Sequence, residues 1–288
     1  MKVGIFKASS KSDSLTDFEI AVIEYLNMNN HEVFIDKILF KDLTLNKKNK
    51  TLDINKIDVL FSIGGDGTLL RSIPIVKGSN VPILGINTGH LGFLTSINKE
   101  GLTEGLDLFF KKKYSLIDRT LIELKTIPEI SDVKIFPYAL NEVTVNRKNS
   151  TSMLSIKTSI NNKLLTTYWS DGLIISTPTG STGYSLSSGG PIISPDSKTL
   201  VLNPIAPHNI SMRPLIVPDK SSIDIHVTGR SKKYLISLDN RRFTIKNESS
   251  ISICKAPFSI KTIQLEGDDF FMTLRDKLFW GLDKRNRQ

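Results

Sequence analysis

The sequence predicts an α/β domain with a parallel sheet, then an all-β domain, and finally a helix. Strand and helix patterns alternate up to Tyr114, short alternating strand patterns follow, and helical spacing returns at Phe270–Trp280. Alternating strands and helices build parallel sheets, whereas many short strands separated by turn residues build an all-β domain. The predicted domains are residues 1–115 with 265–288, whose last helix packs back on the first domain, and residues 116–264.

The composition is typical of a globular protein with a sizeable core. Of the 288 residues, 39% are hydrophobic and 23% are charged, and no run approaches the roughly 18 apolar residues of a membrane span. Cys254 is the only cysteine, which excludes an internal disulfide and predicts a cytoplasmic protein with no membrane partner. The net charge of +9 is dispersed, so it favours small anions such as nucleotides over nucleic acid as partners.

In the first domain, short apolar runs predict strands and apolar residues at helical spacing predict helices. The Lys/Asn-rich segment Leu43–Thr51 is predicted to be an exposed loop. The predicted strands are Lys2–Phe6, Glu32–Ile35, Ile57–Ile63 and Val81–Ile86, and the predicted helices are Asp13–Asn27, a segment from Leu69 to Gly78, and Lys99–Tyr114.

The segment Ile57–Leu70 predicts a buried strand, a glycine turn and the start of a helix. The turn, Gly64–Thr68, has the sequence GGDGT, and its three glycines leave backbone N–H groups uncovered, which suits a phosphate. Asp66 adds a negative charge to this anion-binding turn, so it either holds a metal or takes a proton from a hydroxyl. The alternative is that Asp66 or Thr68 only caps the helix.

In the second domain, eleven short segments predict strands. Asn161-Asn162, Thr228-Gly229 and Asp239-Asn240 are predicted turns between some of them. The predicted strands are Leu121–Lys125, Tyr138–Val145, Met153–Ile160, Leu164–Trp169, Leu173–Thr177, Leu200–Ile205, Leu215–Val217, Ile223–Val227, Tyr234–Leu238, Phe243–Ile245 and Ile251–Cys254.

Three features of the second domain differ from ordinary scaffold. Asn141-Glu142 places an amide and a carboxylate in an apolar strand, a pair that can bind an adenine edge or ribose hydroxyls or simply face solvent at a strand end. Asp171-Gly172 precedes a strand and also fits a tight turn. Thr179–Gly190 is rich in glycine and hydroxyl groups, and its backbone can approach a sugar or phosphate. The four histidines, including His90 in a loop, show no metal-ligand spacing.

These segments together resemble the NAD kinases. The resemblance rests on GGDGT, Asn141-Glu142, Asp171-Gly172 leading into STPTGSTGYSLSSGGPI, and PIAPHNISMRPLIVP, in that order. The GGDGT turn is shared with diacylglycerol and related lipid kinases, whereas the stretch Thr177–Gly190 is more specific to NAD kinases. The resemblance implies a Rossmann-like α/β domain followed by a β-sandwich domain, in an enzyme similar to those of Bacteroidota.

The resemblance also implies a reaction. The γ-phosphoryl group of ATP is transferred to the 2′-hydroxyl of the adenosine ribose of NAD, giving NADP, with a divalent cation such as Mg²⁺ and with Asp66 as proton acceptor. The enzyme is expected to form a dimer or tetramer. The alternatives are a lipid kinase of the diacylglycerol type and a non-enzymatic nucleotide-binding protein.

Three residues differ from those usual in the family. Trp169 stands where many members have Arg or Lys, Arg241 where glutamine is frequent, and Gly183 where alanine is frequent.

The residues implied by the resemblance fall into two sets. The implied NAD-binding residues are Asp66, Gly67, Arg71, Asn141, Glu142, Asp171, Thr182, Gly183, Tyr184, Ser185, Leu186, Ser187 and Ala206; the implied phosphate loop is Gly64, Gly65, Gly67 and Thr68, with Asn87 beside the same pocket.

Overall fold

A computed structural model of the protein describes residues 1–8, 16–36, 50–89, 92–148 and 153–281. The predicted start of the first helix, most of the predicted loop Leu43–Thr51, and His90 lie outside these residues. The chain divides into two compact units, Met1–Asp118 with Ile260–Gln288 and Arg119–Ser259.

Strands and helices alternate in the first unit, and strands dominate the second. The strands are β1 (Lys2–Phe6), β2 (Glu32–Ile35), β3 (Lys50–Thr51), β4 (Val59–Ile63), β5 (Ile83–Ile86), β6 (Tyr114–Ile127), β7 (Tyr138–Ala139), β8 (Glu142–Arg147), β9 (Leu154–Ile160), β10 (Lys163–Ser170), β11 (Gly172–Ser176), β12 (Thr199–Ile205), β13 (Leu215–Pro218), β14 (Ile223–Thr228), β15 (Lys233–Leu238), β16 (Arg241–Lys246) and β17 (Ser250–Leu265). The helices are α1 (Asp17–Met28), α2 (Asp66–Val76), α3 (Leu102–Phe110), α4 (Ser131–Ile135), α5 (Tyr184–Ser187) and α6 (Phe270–Leu278).

The first unit contains the predicted parallel sheet, with strands in the order β17, β5, β4, β1, β2, β3. Every neighbouring pair is parallel. All residues of β4 and β5 are buried, as expected for central strands of a parallel sheet. Lys50–Thr51, predicted as part of a loop, instead forms β3 beside β2. Its exposed polar side chains fit the sheet edge, which hydropathy cannot distinguish from a loop.

Aromatic side chains pack the first unit's helices onto its sheet. Phe109 of α3 meets Phe61 of β4 edge-on, with ring centroids 5.4 Å apart, a favoured aromatic geometry. The predicted C-terminal helix forms as α6 and belongs to this unit, where Phe270 lies 6.5 Å from the Phe93 ring. None of the helices described is long and apolar enough to cross a bilayer.

The second unit is the expected β-sandwich. One antiparallel sheet has the order β13, β12, β11, β8, β15, β16, and the other contains β10, β9, β14 and the first part of β17, with β6 and β7. One buried cluster joins side chains from both sheets, such as Ile156 and Ile225 of one and Val145, Leu173 and Ile236 of the other. The fold class predicted from the sequence is therefore confirmed.

Three strands differ most from the prediction. The predicted strand Leu121–Lys125 is the middle of β6, which has 14 residues. The predicted strand Tyr138–Val145 is two strands, β7 and β8, separated at Leu140-Asn141, because the backbone N–H groups there bond to a side chain instead of a neighbouring strand. The predicted strand Ile251–Cys254 is the start of β17, which has 16 residues. Pro257 lies inside β17, and a proline in an apolar run argues against a strand in the sequence.

Candidate active site

The GGDGT turn follows β4 and opens α2. Gly64 has a φ of 141°, and a Cβ there would lie 2.3 Å from Thr68 Oγ1, so this position requires glycine. A Cβ on Gly65 or Gly67 would meet nothing within 4 Å, so the backbone there is open to a ligand. Gly65 is the N-cap and no side chain caps the helix, which removes the explanation that Asp66 or Thr68 is present as a cap. The turn is a helix N-terminus suited to an anion.

Asp66 is held by the loop that follows β5. Its Oδ2 accepts the Phe93 N–H at 2.8 Å, and its Oδ1 accepts the Leu94 N–H at 3.1 Å. A Cβ on Gly92 would lie 1.7 Å from Asp66 Oδ1 and 2.4 Å from its Cγ. The carboxylate therefore occupies the space that any side chain at residue 92 would need. Gly92, Phe93 and Leu94 were missed as site residues, although the motif that contains them follows Asn87 in the sequence.

Asn87 is buried and holds the same loop from the inside. Its Oδ1 accepts the Gly89 N–H at 2.8 Å, and its Nδ2 donates to Thr95 Oγ1 at 3.2 Å. Thr95 Oγ1 also accepts the Gly92 N–H at 2.8 Å. These side-chain bonds shape the loop that presents Phe93 and Leu94 to the carboxylate of Asp66.

In the second unit, the segment Leu140–Glu142 is fixed by its backbone. Its three N–H groups donate to the Asp239 carboxylate, from Leu140 at 2.9 Å, from Asn141 at 2.7 Å and from Glu142 at 3.2 Å. On the carbonyl side, Thr177 Oγ1 donates to the Leu140 carbonyl, and the Asn141 carbonyl accepts the Thr177 N–H at 2.9 Å. The backbone of the segment is thus hydrogen-bonded on both edges. This fixes the positions of the Cα atoms from which the Asn141 and Glu142 side chains extend.

The side chains of this segment carry unpaired acceptors. Asn141 Oδ1 and Glu142 Oε2 are buried and have no hydrogen-bond partner in the described part of the chain. A buried unpaired acceptor costs about 1–3 kcal/mol, and such groups are rare in folded proteins. Burial, together with the nearby Asp239 carboxylate, raises the pKa of Glu142 to about 8, although the Tyr184 N–H bond opposes the rise. These two acceptors are where a bound ligand could supply donors.

The hydroxyl-rich turn packs against these acceptors. It forms a 3₁₀ turn, Thr179–Thr182, followed by the single helical turn α5. A Cβ on Gly180 would lie 2.1 Å from the Asn141 carbonyl oxygen, and a Cβ on Gly183 would lie 3.2 Å from Glu142 Oε2. The predicted residues Gly183, Asn141 and Glu142 are therefore brought together.

Asn203 of β12 holds α5 by side-chain hydrogen bonds, and the sequence analysis did not predict it as a site residue. Its Nδ2 donates to the Ser185 carbonyl at 3.0 Å and to Ser185 Oγ at 3.3 Å. Ser185 is buried, whereas Tyr184 and Ser187 are exposed, with Thr182 and Leu186 in between. Tyr184 is therefore the ring that this turn offers to a ligand.

Other predicted residues lie away from this group. Asp171 and Ala206 meet at the start of β11, where Asp171 N–H donates to the Ile205 carbonyl at 3.0 Å. Glu142 pairs with Ser176, the last residue of β11 and five residues beyond Asp171, so about 16 Å of strand separates the two places. Asp171 forms an ion pair with Arg147 at 2.9 Å. Ala206 has a φ of 44°, which is uncommon for a residue with a side chain.

Two arginines and one tryptophan were singled out in the sequence. Arg71 is exposed on α2, and Trp169 is 56% exposed near the start of β11. The Arg241 guanidinium donates to the carbonyls of Phe136, at 2.5 Å, and Tyr138. The guanidinium of Arg241 therefore binds the protein's own backbone.

Structural comparison defines the class of protein first. The crystal structure of yeast NADH kinase complexed with NADH aligns with a TM-score of 0.87 at 23% identity, over 100% of this chain and 90% of that one. The crystal structure of an NAD kinase from Archaeoglobus fulgidus in complex with ATP aligns with a TM-score of 0.76 at 23% identity, over 97% and 99%. The chain has the fold of these kinases.

Sequence comparison then gives the family. Residues 10–114 match the family model of the ATP-NAD kinase N-terminal domain, and residues 140–265 match that of the C-terminal domain. NAD kinases of Flavobacterium psychrophilum and Christiangramia forsetii are each 45% identical over 99% of this chain and 100% of theirs. The chain belongs to the NAD kinase family. The predicted resemblance is thereby confirmed, and the lipid-kinase alternative is not favoured.

We expect Gly92→Ala to release Asp66 from its loop. The added methyl overlaps the carboxylate, so the bonds to Phe93 and Leu94 are lost, at a cost of about 1–3 kcal/mol in unfolding free energy. Amide hydrogen exchange at residues 93 and 94 measures the release. Gly89→Ala is the control, since its Cβ would meet only Asn87 Oδ1 at 3.8 Å. Unchanged protection in Gly92→Ala would contradict the arrangement.

The raised pKa of Glu142 predicts a pH dependence of stability. Between the ordinary value of 4.5 and about 8, the unfolded chain loses this proton while the folded chain keeps it, so the contribution to stability falls as pH rises. The side chain of Glu142→Gln stays neutral at every pH. Its melting temperature should therefore change less than that of wild type between about pH 5 and about pH 8. The exposed Glu129→Gln is the matched control. Parallel pH profiles for wild type and Glu142→Gln would refute the prediction.

Proposed function

We propose that this protein transfers the γ-phosphoryl group of ATP to the 2′-hydroxyl of the adenosine ribose of NAD, giving NADP. The observation that carries the proposal is the match to both NAD kinase domains along the chain. The similar structures bound to NADH and to ATP support nucleotide substrates of this kind. NADP formation from NAD, ATP and Mg²⁺ by the purified protein tests it directly.

Asp66 is the proposed proton acceptor for the ribose hydroxyl. Its carboxylate opens α2 and is fixed through both oxygens by the 93–94 amides. A carboxylate is a weak base towards an alcohol, which suffices when the transition state is loose and proton transfer is late. Most of the rate then comes from alignment and charge stabilisation. Gly65 and Gly67 present open backbone to the phosphates, and Gly64, whose Cβ would meet Thr68, is proposed to shape the same phosphate loop.

The adenosine of NAD is proposed to bind at Asn141, Glu142 and α5. The unpaired acceptors Asn141 Oδ1 and Glu142 Oε2 suit the donors of an adenine amino group and ribose hydroxyls. The exposed ring of Tyr184 provides a stacking surface beside them. The other residues of the second unit proposed to bind NAD are Thr182, Gly183, Ser185, Leu186 and Ser187. In the first unit, Gly67 and Arg71 are proposed to bind NAD, and Asn87 is proposed to belong to the phosphate loop.

Asp171 and Ala206 are proposed to contact the nicotinamide side of NAD or a neighbouring subunit. They lie at the opposite end of β11 from Glu142, so one adenosine cannot span both groups within this unit. The proposed assembly is a dimer or tetramer in which subunits complete one another's sites. A cytoplasmic location is proposed from the single cysteine of the chain.

A divalent cation, with Mg²⁺ preferred, is part of the proposal. Across the described ranges, no group of three or more His, Cys, Asp or Glu could hold a metal ion. Mg²⁺ often binds through substrate phosphates and water with few protein carboxylates, and the proposed cation enters with the phosphates of ATP. When bound, the cation neutralises phosphate charge, and no ligand is assigned to the chain.

Asp66→Asn tests the proposed base. The amide keeps one acceptor oxygen for the 92–94 loop, so the fold and NAD binding should persist while turnover falls by about 10²–10⁴-fold. NADP formation and NAD affinity are measured together. Asp58→Asn, an exposed position in the same unit, is the control. Near-normal turnover in Asp66→Asn would reject its role as the base.

Gly183→Val tests the adenosine site. Its Cβ alone would already crowd Glu142 Oε2 at 3.2 Å, so the KM for NAD should rise about 10-fold or more while the KM for ATP stays near the wild-type value. Gly229→Val is the control, since its nearest contact would be Leu154 Cδ2 at 3.4 Å. An unchanged KM for NAD would show that this turn does not bind NAD.

A further inference from the structure

The turn between β15 and β16 forms four hydrogen bonds with the segment that carries Asn141 and Glu142. Besides accepting three N–H bonds, Asp239 donates its own N–H to the Glu142 carbonyl at 3.0 Å. The carboxylate therefore replaces the missing strand neighbour at the break between β7 and β8. A single carboxylate can accept several N–H bonds at once, and ionised acceptors form stronger bonds than neutral ones.

The same turn also holds the chain just before the break. Arg241, two residues beyond Asp239, donates to the carbonyls of Phe136 and Tyr138, and its guanidinium lies 4.9 Å from the Phe136 ring centroid. One turn thus fixes residues 136–142, because the Arg241 guanidinium binds carbonyl groups and the Asp239 carboxylate binds N–H groups.

We propose that Asp239 is a positioning residue, which sets the backbone of Leu140–Glu142 so that Asn141 and Glu142 present their acceptors to the adenosine of NAD. The proposal rests on the proposed function. Asp239 has a φ of 50°, a left-handed conformation that aspartate tolerates in turns and that aims its carboxylate at the three amides. Nothing in the sequence around Asp239 indicates this partner, since Asn141 is 98 residues away.

The opposite edge of the segment leaves it little freedom to compensate. A Cβ on Gly180 would lie 2.1 Å from the Asn141 carbonyl oxygen, so the hydroxyl-rich turn already touches this backbone. Without the carboxylate, the three N–H groups lose their acceptor, and the segment can only turn away from Gly180. The side chains of Asn141 and Glu142 then leave the positions that face the ligand.

Asp239→Asn and Asp239→Ala test the proposal, with Asp219→Asn as the control. Asp219 is a buried aspartate of the same unit that pairs with Lys255. We expect the KM and the calorimetric Kd for NAD to rise about 10-fold in Asp239→Asn, which keeps one acceptor, and about 100-fold in Asp239→Ala. The KM for ATP should change less than about twofold, and the control should resemble wild type.

Equal changes for NAD and ATP, or unchanged NAD affinity in a folded Asp239→Asn, would overturn the proposal and leave Asp239 a purely structural residue. Melting curves of all variants show which are folded, so Asp239→Asn decides the question if Asp239→Ala does not fold. Failure of the proposed function is seen separately, because wild type would then make no NADP. If wild type makes no NADP but binds NAD, calorimetric NAD binding by the variants still tests the role of Asp239. If wild type binds no NAD, both the proposed function and the proposed role of Asp239 are overturned.

Discussion

In each of the two units, the candidate functional residues depend on a carboxylate that accepts backbone N–H groups. Asp66 binds two amides of the loop after β5, and Asp239 binds three amides of the segment before β8. Charge-assisted bonds of this kind are stronger than neutral ones. They fix backbone that lies mostly outside strands and helices, so both of these irregular segments are held in place by hydrogen bonds.

Close approach makes particular glycines part of the same arrangement. At Gly92 the side chain of Asp66 fills the space of a Cβ, and at Gly180 the Asn141 carbonyl does so. In contrast, Gly65 and Gly67 have open space around them. Glycines in one protein therefore serve two purposes: some allow contact between protein segments, and others leave backbone accessible to a ligand. Sequence alone does not separate the two.

The parts of the fold set by local patterns were predictable. Buried runs such as Val59–Ile63 and the GGDGT turn after it depend on neighbouring residues, as does the Asn161-Asn162 turn, whose φ angles are 50° and 63°. The break at Leu140-Asn141 was not predictable, because its cause, Asp239, lies far along the chain. For the same reason Asn141 and Glu142 could be singled out from their residue types, whereas the residue that holds them could not.

The unpaired acceptors connect this rigidity to binding. If Leu140–Glu142 were loosely held, Asn141 Oδ1 and Glu142 Oε2 could rotate towards water or a neighbouring donor and recover the cost of burial. The bonds to Asp239 and Thr177 prevent that adjustment. A ligand that brings donors to both acceptors therefore gains the hydrogen bonds without first ordering the segment, which is the advantage of a preorganised site. The stability lost in the free protein becomes selectivity for a ligand with two correctly spaced donors.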